Sequence, residues 1–366
     1  MVSMMQFYRP FTILLLVFVW IQNIYAQAPK YSNEFLSIGV GARALAMAGS
    51  TVASVDDVTA GYWNPAGLNG INSNLQISYM HNEYFAGIAK YDYGAIAARI
   101  DSTTVIGFTP LLRLSVDDIP NTLELIDAEG NINYDRIKSF SAADYAFVFS
   151  YAKKSPFEGL NYGANVKVIY RKVGEFANAW GFGLDAGAQY QKGKWKFGAV
   201  GRDITSTFNA WSFNTEKLEY AFALTGNEIP ENSLEITLPK LLLAAGNQVR
   251  LSESFSLYPE LGLDFTFDGM RNVLIKSDPI SIDPHLGVEL SYAGFAYLRT
   301  GVGYIQKITD FDGSKKTIVQ PNLGLGVKIK SIYIDYALTN VGQSVGLLSN
   351  VFSIKIDINR KIKNDS

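Results

Sequence analysis

The chain has 366 residues and a formal net charge of −2, with no cysteine and two histidines. That charge offers no basic face for nucleic acid, and the lack of thiols removes disulfides, cysteine nucleophiles, thiolate metal sites and a lipid anchor on cysteine. Tyrosine (21) and phenylalanine (22) outnumber methionine (6), and a mean hydropathy of +0.07 is too low for a bundle of membrane helices. It is compatible with a membrane β-barrel, whose polar lumen offsets its lipid-facing side.

At the N-terminus, Arg9 precedes the apolar run from Phe11 to Trp20, and Ala26 stands before Gln27. Positive charge, a short apolar core and a small boundary residue form the order of an export signal, and the core falls short of the ~20 residues of a spanning helix. Residues 1–26 are therefore expected to be a signal peptide, with the mature chain starting near Gln27 outside the cytoplasm.

Residues 27–74 are expected to form a small plug. Within them, GVGARALAMAGSTVASVDDVTAGYWNPAGL (Gly39 to Leu68) is rich in small residues that let backbone pack on backbone. Asp56, Asp57 and the Asn64-Pro65 pair supply turn and helix-start chemistry. Preceded by Phe35-Leu36, this stretch resembles the N-terminal signature of the PorV/PorQ family of outer-membrane proteins, relatives of the long-chain fatty-acid transporter barrels. The resemblance implies a helical hatch inside a fourteen-stranded barrel, with Gly39, Gly41, Arg43, Asp56, Asp57, Trp63, Asn64, Pro65, Ala66 and Gly67 as the hatch motif. It also implies a role in type IX protein secretion, in which family members bind the translocon or the C-terminal β-domain of secreted cargo.

From Leu75 to Asn359 the apolar residues recur with period two. In 180–191, Trp180, Phe182, Leu184, Ala186, Ala188 and Tyr190 alternate with glycine and polar residues, and 160–171 and 255–268 repeat the pattern. Long strands, aromatic residues at strand ends and charges on the polar row favour lipid over a soluble sandwich. The fold class is thus all-β, a transmembrane antiparallel barrel of about fourteen strands. The strands are predicted at 75–82, 85–100, 103–112, 138–153, 160–172, 179–191, 194–203, 235–250, 254–268, 280–292, 294–305, 317–330, 331–340 and 350–359, leaving a tail at 360–366. Every second connection is short, the others are long, and outer-membrane barrels keep their short turns on the periplasmic side. Both termini are therefore expected in the periplasm of a diderm bacterium.

Loop 204–234 carries Phe208, Trp211, Phe213, Tyr220 and Phe222, and loop 113–137 carries Leu123 and Leu125; apolar residues in such long loops point to a partner surface. The predicted inner rows mix charges, including Lys167, Arg171, Arg202, Arg299 and Lys355 with Asp185, Glu260, Asp264 and Glu289, which suits salt-bridge networks around a plug rather than an ion-selective pore.

No catalytic residue, metal site or cofactor is expected. A hydrolase would need a serine beside His285, for which strand parity offers Ser281 and Ser291, and there is no G-x-S-x-G elbow. Besides outer-membrane lipid, the partners expected are the type IX translocon or cargo. The alternative is a hydrophobic small molecule taken up as in the fatty-acid transporters, with lateral escape at a strand kink made by Pro259 or Pro284.

Overall fold

The computed structural model describes residues 32–359 except 86, 128, 226–227, 229, 310–312 and 340–347, and for 220–221, 223–225 and 308 the backbone only. The expected signal peptide, the C-terminal tail and the side chain of Tyr220 lie outside these described positions.

Among the described residues, seventeen strand segments form one closed antiparallel sheet: β1 (Leu75–Tyr84), β2 (Ala89–Arg99), β3 (Thr104–Asn121), β4 (Lys138–Lys154), β5 (Leu160–Val173), β6 (Ala177–Lys192), β7 (Trp195–Arg202), β8 (Thr207–Phe213), β9 (Ser233–Thr237), β10 (Lys240–Asn247), β11 (Val249–Arg250), β12 (Phe255–Thr266), β13 (Ser281–Tyr292), β14 (Ala296–Thr309), β15 (Lys315–Ile329), β16 (Ile332–Thr339) and β17 (Ser349–Ile358). They make fourteen staves, because β7 and β8 are two halves of one stave and β9, β10 and β11 are three pieces of the next. β1 pairs with both β2 and β17, so no edge is left open.

Alternation sets the two faces. On β6, Trp180 (55% exposed) and Tyr190 (38%) point outward, while Ala179 and Asp185 on the other row are buried. Ten residues separate the two aromatics, about 33 Å along a strand and about 25 Å along the axis at a tilt of roughly 40°, the height of a lipid-facing band between two aromatic girdles. Outward neighbours at one level touch, as Tyr170 and Trp180 do at 4.7 Å between ring centroids.

Three expectations are corrected here. The span 204–234 is not one loop: it contains β8, the helix Thr215–Thr225 and the start of β9. Phe208 is thus an outward wall residue at 41% exposure, whereas Trp211 lies on the inner row and donates from Nε1 to Glu235. Likewise β3 runs on to Asn121, because its ladder with β4 tolerates bulges at Thr109–Arg113 and Val116–Ile119 that break the alternation. Nor do Pro259 and Pro284 kink the wall. They face Val288 and Leu263 in an unbroken register, and the irregularities fall instead on β2 and β3, on β3 and β4, and at Gly303–Gln306 of β14. A proline spares the ladder where its missing N–H was not required for that pairing.

Candidate functional site

The lumen is occupied by residues 32–74. This hatch contains helices α1 (Ala42–Ala46) and α2 (Ala60–Trp63) and two single 3-10 turns, Glu34–Ser37 and Pro65–Gly70. Of the predicted motif residues only Asp56 is exposed. Gly39 (φ +96°) and Gly49 (φ +78°) adopt a backbone that side chains disfavour, and they flank the Trp63 ring so closely that a Cβ on either would touch it. The indole is fixed there by donating to Val40 O at 2.9 Å. Asn64 is extended (φ −157°) with Pro65 at the first helical position, and its Oδ1 accepts from Ala66 N at 3.2 Å. Its Nδ2 donates to Val52 O in the hatch and to Ala188 O in the wall at 2.9 and 3.0 Å, so one buried amide sets the turn and docks it.

The hatch has two unlike faces. Toward β1–β5, β16 and β17 it is apolar: Phe35, Val40, Leu45, Leu68 and Ile71 form one core with wall residues such as Met80, Tyr91, Tyr93 and Leu112. Toward β6, β12, β13 and the Lys355 end of β17 it is polar. Arg43 Nε lies 2.8 Å from Glu289 Oε2, which also receives Arg299, and Arg299 reaches Asp335 at 2.6 Å. Ala53 N donates to the fully buried Glu260 at 2.8 Å, and Gln189 Nε2 donates to Val55 O at 2.9 Å. Asp57 Oδ2 lies 2.5 Å from Lys355 Nζ on the closing stave, and Thr59 donates to its other oxygen. Burial alone would raise the pKa of Asp57, but the Lys355 ammonium outweighs it and brings it to about 2. Burial likewise opposes the charge on Arg43, and Glu289 with Asp56 and Asp57 keeps its pKa well above the ordinary value.

Contact of backbone with backbone is arranged by glycines on the inner rows. A Cβ on Gly163 would come within 2.6 Å of Pro65 C, and one on Gly287 within 2.7 Å of Met47 O. Gly187, Gly198, Gly301 and Gly324 lie just as tightly against Asn64, Val52, Met47 and Ala46. This stripe is the part of the site that motif reading missed, although the alternation of glycine with apolar residues in 180–191 was its visible trace.

The serine beside His285 is neither Ser281 nor Ser291 but Ser50 of the hatch, whose Oγ lies 2.7 Å from Nδ1, while Nε2 lies 3.3 Å from Asp264. Ser50 is fully buried, its backbone N–H is spent on Met47 O, and that of Thr51 on Gly49 O. The arrangement ties hatch to wall and spends the backbone N–H groups of Ser50 and Thr51 within the hatch. Among the described residues no three acidic or histidine side chains form a metal-holding group.

Between the hatch and the loop end of the barrel lies a cavity of about 130 Å³, bounded by Trp63, Leu242, Val273 and Tyr304 and by Arg202, Lys240, Asp264, Asp283 and His285. A smaller one of about 30 Å³ shares Arg202 and Lys240 with it and reaches Asp203 and Thr237, where β7 jogs into β8. At that jog the β6 ladder passes from Ala186–Gly201 to Phe182–Phe208, and between them Ile204 N donates to Leu184 O and Asp203 N to the Asp185 carboxylate. Lys167 lies on its inner side, held by Asp185 and Asp203 at 2.8 and 2.5 Å. Of the predicted partner residues, Leu123 and Leu125 are half-buried in the β3–β4 loop and Phe222 is half-buried on its helix, and the structure does not bring these together with the hatch.

Fold and site define an outer-membrane-type barrel whose lumen is filled by its own N-terminal hatch. Solved transporter barrels share the fold. A Pseudomonas putida toluene transporter, TodX, superposes with a TM-score of 0.54 at 13% identity over 87% of this chain and 96% of its own. The Ralstonia pickettii toluene transporter TbuX gives 0.51 at 14% over 88% and 99%, and a Pseudomonas aeruginosa FadL homologue gives 0.50 at 12% over 87% and 98%. At these identities the likeness is one of fold. No protein-family model matches the chain, and no curated protein matches it in sequence.

Proposed function

We propose that the chain is a non-enzymatic outer-membrane channel, closed by its hatch, that admits small molecules with an apolar body. The observation that carries the reading is the cavity of about 130 Å³ walled by Trp63, Leu242, Val273 and Tyr304. A cavity of about 150 Å³ accepts benzene, so by volume the space matches one small ring, with charged side chains on its remaining walls. The neighbours of like fold include toluene transporters, which supports the same class of cargo. The interrupted ladder at the β7–β8 jog supplies a sideways route into lipid. In this reading the loops lie outside and the short turns in the periplasm, so β1 starts and β17 ends on the periplasmic side. The buried Ser50, with neighbouring backbone N–H groups already used, supports the absence of hydrolysis.

The test is uptake of labelled toluene into lipid vesicles carrying the purified barrel. Entry at least about tenfold above protein-free vesicles is expected; entry at the bare-lipid rate sinks the channel reading.

A second reading, PorV/PorQ-type docking in type IX secretion, is favoured by Ile126, Ile132 and Tyr134, which stand 52%, 57% and 72% exposed at the tip of the β3–β4 loop. It predicts that the tagged protein, drawn from its native membrane, retains a translocon subunit or secreted β-domain proteins, and that charged residues at these three positions abolish the capture. A pull-down free of such proteins removes it.

A further inference from the structure

Arg202 differs from the arginines around it. Arg43, Arg171, Arg271 and Arg299 each hold a carboxylate within ion-pair distance, whereas Arg202, among the described residues, holds none. The acids near it are committed elsewhere: Asp185 and Asp203 to Lys167, and Asp264 to His285. Its guanidinium donates to Tyr62 O at 3.1 Å, also hydrogen-bonds the Tyr62 side chain, and lies over the rings of Tyr62 and Trp63 at 4.7 and 5.7 Å. Stacking fixes the plane of the group and leaves its remaining N–H edge unused beside both cavities.

Lys240 is the register partner of Arg202 on the neighbouring stave, and both line the same space. Like charges directly opposite one another are unfavourable, and Glu34, 3.6 Å from Lys240 and also shared with Arg271, offsets that only in part. Besides Glu34, the acids of the larger cavity are Asp264, one stave over from Lys240 and opposite Leu242, and its register partner Asp283 on the stave beyond, so both lie on the far side of Lys240 from Arg202. The cavity therefore has a cationic end with free planar donors, an acidic end, and aromatic walls between.

Resting on the channel reading above, we infer that the ligand is a small aromatic carboxylate of about the size of benzoate. Its carboxylate sits on the free edge of Arg202 with Lys240 beside it, and its ring lies against Trp63 and Tyr304. A bare hydrocarbon would offer the guanidinium edge no acceptor. An amine would place its charge at the wrong end.

The experiment is isothermal titration of the purified full-length barrel in detergent with benzoate, toluene and benzylamine, together with vesicle uptake of the same three compounds. Charge-assisted hydrogen bonds of this kind correspond to about tenfold or more in affinity, so benzoate is expected to bind at least about tenfold more tightly than either rival. Arg202→Met should erase that preference, and Arg202→Lys should restore part of it. The ligand series on the unaltered protein decides the matter even if the variants fail to fold. Equal or better binding of toluene or benzylamine, or a benzoate preference that survives Arg202→Met, overturns the inference and leaves the channel standing. Failure of all three compounds to bind or enter overturns both.

Discussion

Asp57 and Lys355 join the hatch to the stave that closes the barrel, and both are largely buried. The folded carboxyl titrates at about 2, below the ~3.9 of an unfolded aspartate. Its contribution is therefore complete above about pH 4 and is lost as pH falls toward 2, on the order of 2 kcal/mol in all. Melting in detergent should show the unaltered protein losing more stability than Asp57→Asn between those pH values; parallel curves would mean that the pair contributes nothing. Removing only the cation is worse, because it leaves a buried carboxylate alone. Lys355→Met is expected to cost roughly 3–5 kcal/mol, more than the double change Asp57→Asn with Lys355→Met. Asn64→Ala should cost about 1–3 kcal/mol by orphaning the buried Ala66 N–H and leaving Val52 O with Gln189 as its remaining donor, and equal melting of variant and parent would contradict the docking role given to that amide.

At the scale of elements, the strands that were plain in the sequence are those whose two rows face unlike surroundings. β5 and β6 alternate cleanly because one row meets lipid and the other meets the hatch, and their limits were readable to within a few residues. β8 and β9 were hidden because they rise above the band where lipid enforces the pattern. There Trp211 turns inward toward Glu235 and Arg171, a contact that no local rule announces. The hatch motif could be found from its small residues, but its partners could not: Ser50 meets His285 across 235 positions. The inner glycines can be tested directly. Gly163→Val would drive a side chain into the Pro65–Ala66 backbone, and the expected result is a barrel that still folds with its hatch displaced. Planar-bilayer recordings should then show conductance where the parent is closed, while the slowed gel migration of an unheated barrel is kept. A closed, normally migrating variant would show that the hatch adapts.

For the whole molecule, the alternation of short and long connections was visible before any coordinates, and it follows from a closed barrel of even stave number. The shape of the lumen was not visible, since it depends on which inward residues are glycine and which are charged at each level. Deleting 32–70 while keeping the fourteen staves should give a wide, permanently open pore. A deletion variant that fails to close would show instead that the walls need the hatch to fold.

That last alternative follows from how the hatch is held. Its contacts come from staves around the whole circumference, from Gly163 on β5 and Gly187 on β6 to Gly287 on β13, Gly324 on β15 and Lys355 on β17. It is also continuous in sequence with β1, the stave that must meet β17 to complete the ring. A finished cylinder would have to admit the hatch through its own crowded bore, past the charged clasps at Glu289 and Lys355. The simpler order of assembly is the reverse: the N-terminal segment waits as a mandrel, and the sheet is wrapped around it until the first and last staves meet.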